Sequence, residues 1–233
     1  MIGKLFGLGL GPGDPELVTV KAVRILKSVS AVAFPVLEGK ESFARSIANR
    51  YIPKGLGQIP IVVPMTQDRL PAQKAYDKAA QEISKILNRG QDVACLCEGD
   101  PFFYGSFMYI FARLSKMYEV EIVPGVTSMT ACAAVAKMPL LARNEHLTVI
   151  PGTLGPEELR NRILNADAVV IMKVGRHLEK IKKVLEDVEL SSGAIYVEYA
   201  SLPEQKVLKI INAPKTAPYF SMILVAKGAD PWL

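Results

Sequence analysis

Cysteine and histidine are scarce in this chain of 233 residues, which holds three of the first and two of the second. An odd cysteine count supplies no disulfide framework and suits a reducing compartment. Cys95 and Cys97 stand two apart in a β-branched, apolar run, so a strand would place both on one face, where packing outweighs metal binding. Two histidines are too few for a histidine-rich metal centre, and neither His146 nor His177 is assigned a catalytic role. No apolar stretch approaches the roughly 20 residues that span a bilayer. Residues 1–13 are apolar but lack the basic start, long apolar run and small-residue cleavage site of a signal peptide. They read as a first buried strand, and the expectation is a cytoplasmic protein without a membrane partner.

Half of the residues are hydrophobic, enough for a sizeable core, and the length suits one large or two small domains. Lys and Arg number 28 against 23 Asp and Glu, a formal net charge of +5. That excess favours anionic partners without choosing among nucleic acid, polycarboxylate and phosphate ester. No basic stripe with interleaved aromatics is present, which argues against a nucleic-acid partner. Only Lys180, Lys182 and Lys183 cluster, as a solvated helix face would.

The first half alternates strand and helix. Strands are expected at 4–10, 30–34 (stopped by Pro35), 59–63, 92–97 and 120–123. Helices are expected at 20–27 behind a Thr19 cap, and at 42–51, 71–87, 103–115 and 125–136. Near-continuous apolar strands between helices predict a mostly parallel sheet covered on both faces. Beyond a seam near residue 142 the alternation resumes with strands at 147–150 and 168–172 and helices at 157–164 and 176–185. Three strand-like stretches follow, at 194–199, 204–211 and 220–226, and predict a mixed sheet with antiparallel pairing. The expected architecture is α/β: an N-terminal domain over 1–141 and a C-terminal domain over 142–233.

Gly7-Leu-Gly-Leu-Gly-Pro-Gly-Asp-Pro15 follows the first strand, yet it contains no G-x-G-x-x-G register and no Lys-Ser/Thr pair. Glycines permitting positive φ and close backbone approach are the competing structural reading. Gly13-Asp-Pro15 recurs as Gly99-Asp-Pro101, again after a strand. Ligands of open parallel sheets lie outside the carboxyl ends of strands, so both acidic loops are well placed; the competing reading is that each Asp fixes its own turn, and ligand contact is favoured over it at Asp100. Val123-Pro-Gly-Val-Thr-Ser128 then brings hydroxyls to a helix start, where capping and ligand contact can coexist.

Taken together, Gly9-x-Gly-Pro-Gly-Asp-Pro15, Glu98-Gly-Asp-Pro-Phe-Phe-Tyr-Gly105, Pro124-Gly-Val-Thr-Ser128 and the later Ala200-Ser-Leu-Pro-Glu-Gln205 resemble the tetrapyrrole methylase family, in order and spacing, over essentially the whole chain. Gly105-Ser-Phe-Met-Tyr109 and Tyr219-Phe-Ser-Met-Ile-Leu-Val225 look most like its branch that methylates the C20 bridge carbon.

The resemblance implies a homodimer of two α/β domains with S-adenosylmethionine in the cleft that the C-terminal domain closes, and S-adenosylhomocysteine as product. The implied substrate is precorrin-2 or cobalt-factor II, on the way to cobalamin. Carried over by position, the cofactor would contact Gly99, Asp100, Phe103, Thr127, Ser128, Met172, Ala200 and Ser221, several through backbone atoms. Gly11, Pro12, Gly13, Asp14 and Tyr109 would line the tetrapyrrole trough. Glu98 stands where many members carry Gly, and Ser221 where many carry Ala. Glu98, Asp100 and Tyr104 are the candidates for a base, and the sequence does not choose among them. No Ser-His-Asp or Cys-His constellation is present, in keeping with direct methyl transfer. Other members methylate other tetrapyrrole carbons, and a non-catalytic tetrapyrrole carrier is a further alternative.

Overall fold

The computed structural model describes residues 1–64 and 68–228. These form two compact units, Met1–Thr127 and Ser128–Leu233. The division falls ahead of the seam expected near residue 142, because the helix at Ser128–Val135 packs beside a strand of the second sheet.

The first unit holds strands β1 (Leu5–Gly9), β2 (Ala31–Leu37), β3 (Gly57–Val63), β4 (Val93–Cys97) and β5 (Val120–Val123). They pair in the order β3-β2-β4-β1-β5, every pair parallel. Helices α1 (Val20–Leu26) and α2 (Phe43–Ala48) cover one face, α3 (Arg69–Leu87) and α4 (Phe107–Leu114) the other. Alternation along β4 divides the core: Val93, Cys95 and Cys97 pack with α3 and α4, while Ala94 and Leu96 pack with α1 and α2. Both faces being covered, every residue of β1 and β4 is buried. The cysteines are thus core residues, and burial pushes the Cys95 thiol up to about 12. Among the described residues no group of His, Cys, Asp and Glu is arranged to hold a metal. Nor is any helix among them long and apolar enough to cross a membrane.

Local chemistry accounts for most boundaries. The Thr19 hydroxyl accepts from the Ala22 amide at 3.2 Å and starts α1. Ser42 and Asp68 cap α2 and α3 in the same way. Pro35 does not stop β2, which runs on to Leu37. Beyond Ala33 the strand pairs with β3 alone, leaving one side open where a residue without an N–H is tolerated. Helix α4 begins four residues later than expected, since Tyr104 takes a φ of 56° and holds the preceding segment in a loop.

The second unit contains α5 (Ser128–Val135), β6 (Leu147–Pro151), α6 (Pro156–Leu164), β7 (Ala168–Met172), α7 (Leu178–Asp187), β8 (Ile195–Glu198), β9 (Lys206–Lys209) and β10 (Ser221–Ala226). Its sheet, ordered β6-β7-β10-β8-β9, is mixed: β6 and β7 are parallel, whereas β10 runs antiparallel to both β7 and β8, and β8 to β9. The stretch expected as a strand over 204–211 is shorter, ending in a 3-10 turn at Ile210–Asn212. Leu159, Ile163, Leu178, Ile181 and Leu185 of α6 and α7 close over Ile171, Tyr196 and Ile223.

Ile223 is fully buried on the central strand β10. Ile223→Ala is expected to cost about 2–5 kcal/mol, read from the urea unfolding midpoint. A midpoint equal to the parent's would contradict this account of the core.

Candidate functional site

The three glycine-bearing motifs follow β1, β4 and β5, which lie side by side at the carboxyl edge of the first sheet. The chain leaves β1 for α1 on one face and β4 for α4 on the other. Adjacent strands whose connections depart to opposite faces form a topological switch point, where such sheets bind ligands.

Backbone approach is very close here. Gly11 and Gly99 exchange hydrogen bonds, the Gly99 amide donating to the Gly11 carbonyl at 2.7 Å and the Gly11 amide donating to the Gly99 carbonyl at 3.2 Å. A Cβ on Gly125 would collide with the Gly99 carbonyl oxygen, and one on Gly9 with the Gly125 amide. The glycines are therefore committed to one another, in keeping with the structural reading of a first motif that lacks the spacing of a phosphate loop.

Asp100 completes this junction. Its Oδ1 accepts from the Phe102 amide at 2.9 Å and its Oδ2 from the Gly125 amide at 3.1 Å. One carboxylate thus fixes its own turn and ties the β4 loop to the β5 loop. Asp14 fixes the turn after β1, accepting from the Glu16 amide at 2.8 Å. Gly11 and Gly13 are buried there, with Pro12 half-buried between them.

Glu98 follows β4 directly and is half-buried, against the start of α2. Burial pushes its carboxyl above the usual carboxylate range, an effect partly offset by the Ala44 amide in the first turn of α2. Phe103 and Tyr104 meet edge to face at 5.4 Å, with Phe103 half-buried and Tyr104 exposed. Tyr109 sits on the first turn of α4 against Tyr76 of α3, ring centroids 4.9 Å apart. Thr127, half-buried, closes the first unit; Ser128 opens α5 in the second.

The second unit gathers the remaining candidates at one edge of its own sheet. Met172 ends β7, Ser221 begins β10, and Ala200 lies two residues past the end of β8. Since β10 runs antiparallel between β7 and β8, all three fall on the same edge. Lys173, Tyr199 and Ser201 take φ values of 55°, 49° and 67° beside them. Left-handed conformations of non-glycine residues cost free energy and collect at functional sites.

Two residues near this edge were given no role by the sequence, although Gln205 closes the segment Ala200-Ser-Leu-Pro-Glu-Gln205. Glu198 is 4% exposed, and its Oε1 accepts from the Tyr196 hydroxyl at 2.7 Å. The exposed Gln205 offers its side-chain oxygen to the Ser201 amide at 2.9 Å. A signal did exist for the first: Tyr196 and Glu198 alternate onto one face of an otherwise apolar strand.

The profile of the Tetrapyrrole (Corrin/Porphyrin) Methylases matches residues 4–211. The chain belongs to this family. A precorrin-2 C(20)-methyltransferase from Sinorhizobium is 36% identical, the match covering 98% of this chain and 97% of that protein. The cobalt-precorrin-2 C(20)-methyltransferase of Salmonella typhimurium is 33% identical, over 97% and 98%. The cobalamin biosynthesis protein CobIJ of Mycobacterium tuberculosis is 40% identical over 97% of this chain, which spans only 46% of that protein's length. Among solved structures, a cobalt precorrin-4 methyltransferase superposes with a TM-score of 0.71 at 23% identity, covering 98% of this chain and 96% of that one, and shares the fold. Tetrapyrrole methylase membership thus agrees with both the two-unit α/β architecture and the order of the motif loops.

Two consequences of this chemistry are measurable. Asp100→Asn would set an amide NH₂ against a backbone N–H and is expected to cost about 1–3 kcal/mol in denaturant unfolding; an unchanged midpoint would show that the carboxylate does not tie the loops. Glu98 has a folded pKa above its unfolded value. The stability it contributes is complete below the unfolded value and is lost as pH rises through the folded one. Glu98→Gln should therefore melt above the parent at about pH 8 and match it near about pH 4. A difference that grows toward low pH would reverse that assignment.

Proposed function

We propose that this chain is an S-adenosylmethionine-dependent methyltransferase acting on C20 of precorrin-2 or its cobalt complex in cobalamin biosynthesis. The observation that carries the reading is near-full-length similarity to two C20-methyltransferases. It coincides with two strand-edge clusters built largely of backbone groups. A homodimeric assembly and a cytoplasmic location belong to the same proposal.

The residues present suit S-adenosylmethionine. Its adenosine and methionine parts call for backbone hydrogen-bonding groups and apolar contact rather than a phosphate cradle. Ala200 is 8% exposed between two left-handed residues. Its own amide and carbonyl take no part in the bonds that fix Tyr199 and Ser201. Met172 adds a polarizable thioether at the same edge. When bound, the sulfonium supplies an electrophilic methyl group, so that the C20–CH₃ bond forms as the S–CH₃ bond breaks and its electron pair stays on sulfur.

The protein's part is alignment, worth about 7–11 kcal/mol of a barrier when the reacting groups are held in line. Gly9, Gly99, Gly125 and Asp100 provide rigidity for this in the first unit. C20 must also lose its proton. Glu98 is the favoured acceptor of the three candidates, because burial makes its carboxylate the better base. Both oxygens of Asp100 already accept backbone amides. Gly11, Pro12, Gly13, Asp14 and Tyr109 remain the proposed substrate contacts.

Anaerobic incubation with S-adenosylmethionine, offering precorrin-2 and cobalt-factor II separately, tests the reading by product mass and absorbance. One added methyl on either substrate is expected, and the substrate that reacts assigns the metal state. Turnover of neither, by protein that still binds S-adenosylhomocysteine, would contradict C20 methylation.

A further inference from the structure

Glu198 is the only charged residue buried among the described residues, and nothing in the proposed reaction requires it. A buried carboxylate is retained only against a desolvation cost of several kcal/mol, so its partners deserve an account. One oxygen accepts the Tyr196 hydroxyl at 2.7 Å. The other pairs with the Lys206 ammonium at 3.2 Å, at the register position where β9 meets β8. Desolvation and the adjacent Glu198 carboxylate push the fully buried Tyr196 phenol well above its ordinary value, while the Ser221 hydroxyl offsets part of this. Ser221 stands opposite Glu198 across β10 and donates to the Pro218 carbonyl at 2.7 Å. A single buried carboxylate therefore ties β8 to β9, at the register position where the start of β10 pairs with β8.

The chain leaves this anchor directly into Tyr199, Ala200 and Ser201. Two of the three residues are left-handed, at φ 49° and 67°, and neither is glycine. Such a turn persists only when its surroundings over-determine it. At one end the Tyr199 amide donates to the Phe220 carbonyl at 2.9 Å, beside the Glu198 anchor. At the other, Gln205 reaches back four residues to accept the Ser201 amide at 2.9 Å. The Leu202 amide closes onto the Tyr199 carbonyl at 2.9 Å, and the Gln205 amide onto the Leu202 carbonyl at 3.0 Å. The turn is clamped at both ends and Ala200 is presented in the middle.

We infer that Glu198 and Gln205 are positioning residues, which hold the strained turn over residues 199–201 in the one conformation that offers the Ala200 backbone to the adenosyl cofactor. Neither side chain needs to touch the cofactor. The inference rests on the function proposed above and adds to it the source of the cofactor site's shape in the second unit. It also explains why Gln205 is exposed yet bonded inward, and why a carboxylate ends an apolar strand.

The test is S-adenosylhomocysteine binding by calorimetry on the full chain, with thermal melting alongside. Gln205→Ala removes an exposed side chain and is expected to fold, with a melting temperature near the parent's. Its S-adenosylhomocysteine Kd should rise by about tenfold or more, the loss of about 1.4 kcal/mol. Gln205→Glu, which keeps an oxygen for the Ser201 amide, should restore affinity to within about threefold of the parent, a gap under about 0.7 kcal/mol. Glu198→Gln should weaken binding in the same direction. In turnover, KM for S-adenosylmethionine should rise in Gln205→Ala while KM for the tetrapyrrole holds. Parent-like cofactor affinity in a folded Gln205→Ala, where the parent binds, would overturn the inference and leave the proposed function standing. A parent that does not bind S-adenosylhomocysteine would overturn both.

Discussion

Contact between backbones at the carboxyl edge of β4, β1 and β5 is the constraint on which the first unit's site depends. Parallel strands deliver three chain segments to one edge, but side chains would normally hold those segments apart. Gly9 and Gly125 remove the Cβ atoms that would intervene, and Gly99 between them takes a left-handed φ of 62°. Segments packed so tightly lose water, and every amide and carbonyl that loses water needs a partner. Gly11 and Gly99 serve each other, and the Asp100 carboxylate takes the amide of Gly125. The acidic residue that follows the β4 glycine is thus required by the packing, whatever else it does. A mutation there acts first on loop geometry, so loss of activity alone would not establish a chemical role for Asp100.

The second unit reaches a comparable rigidity by other means. Its edge carries no glycine in the turn after β8; instead Tyr199 and Ser201 accept left-handed strain. Glycine adopts such angles without penalty but loses more entropy on folding. Non-glycine residues invert that trade, and the turn is stiff once hydrogen bonds enforce it. The stabilising groups are a buried carboxylate paired with an exposed lysine at one end and a side-chain amide at the other. In both units the turns at these edges are held largely by bonds to backbone groups, which suits the proposed reaction, whose electrophile arrives with its own leaving group.

Much of the fold was legible because burial on two faces leaves a simple imprint. The apolar runs that became β1, β4 and β7 have no competing reading, and Thr19 announced α1. Pairing-dependent features were not legible. Pro35 reads as a strand stop unless it is known that β2 loses one neighbour past Ala33. The start of α4 depends on a left-handed Tyr104, which residue preferences disfavour. At the site, the loops were legible from repeated Gly-Asp-Pro segments, and turn-fixing by Asp14 and Asp100 was one of two readings given to each. Glu198 and Gln205 were not singled out. Their importance comes from cross-strand register and from a bond reaching back four residues; alternation with Tyr196 marks Glu198 as facing the core but does not give its partner on β9.

The central claim is that this chain places a methyl group on the C20 bridge carbon. The most direct measurement supplies S-adenosylmethionine carrying a ¹³C-methyl group and locates the label in the tetrapyrrole product by NMR. The account predicts one enriched methyl carbon bonded to C20. Enrichment at any other ring carbon, with C20 still bearing hydrogen, would contradict it.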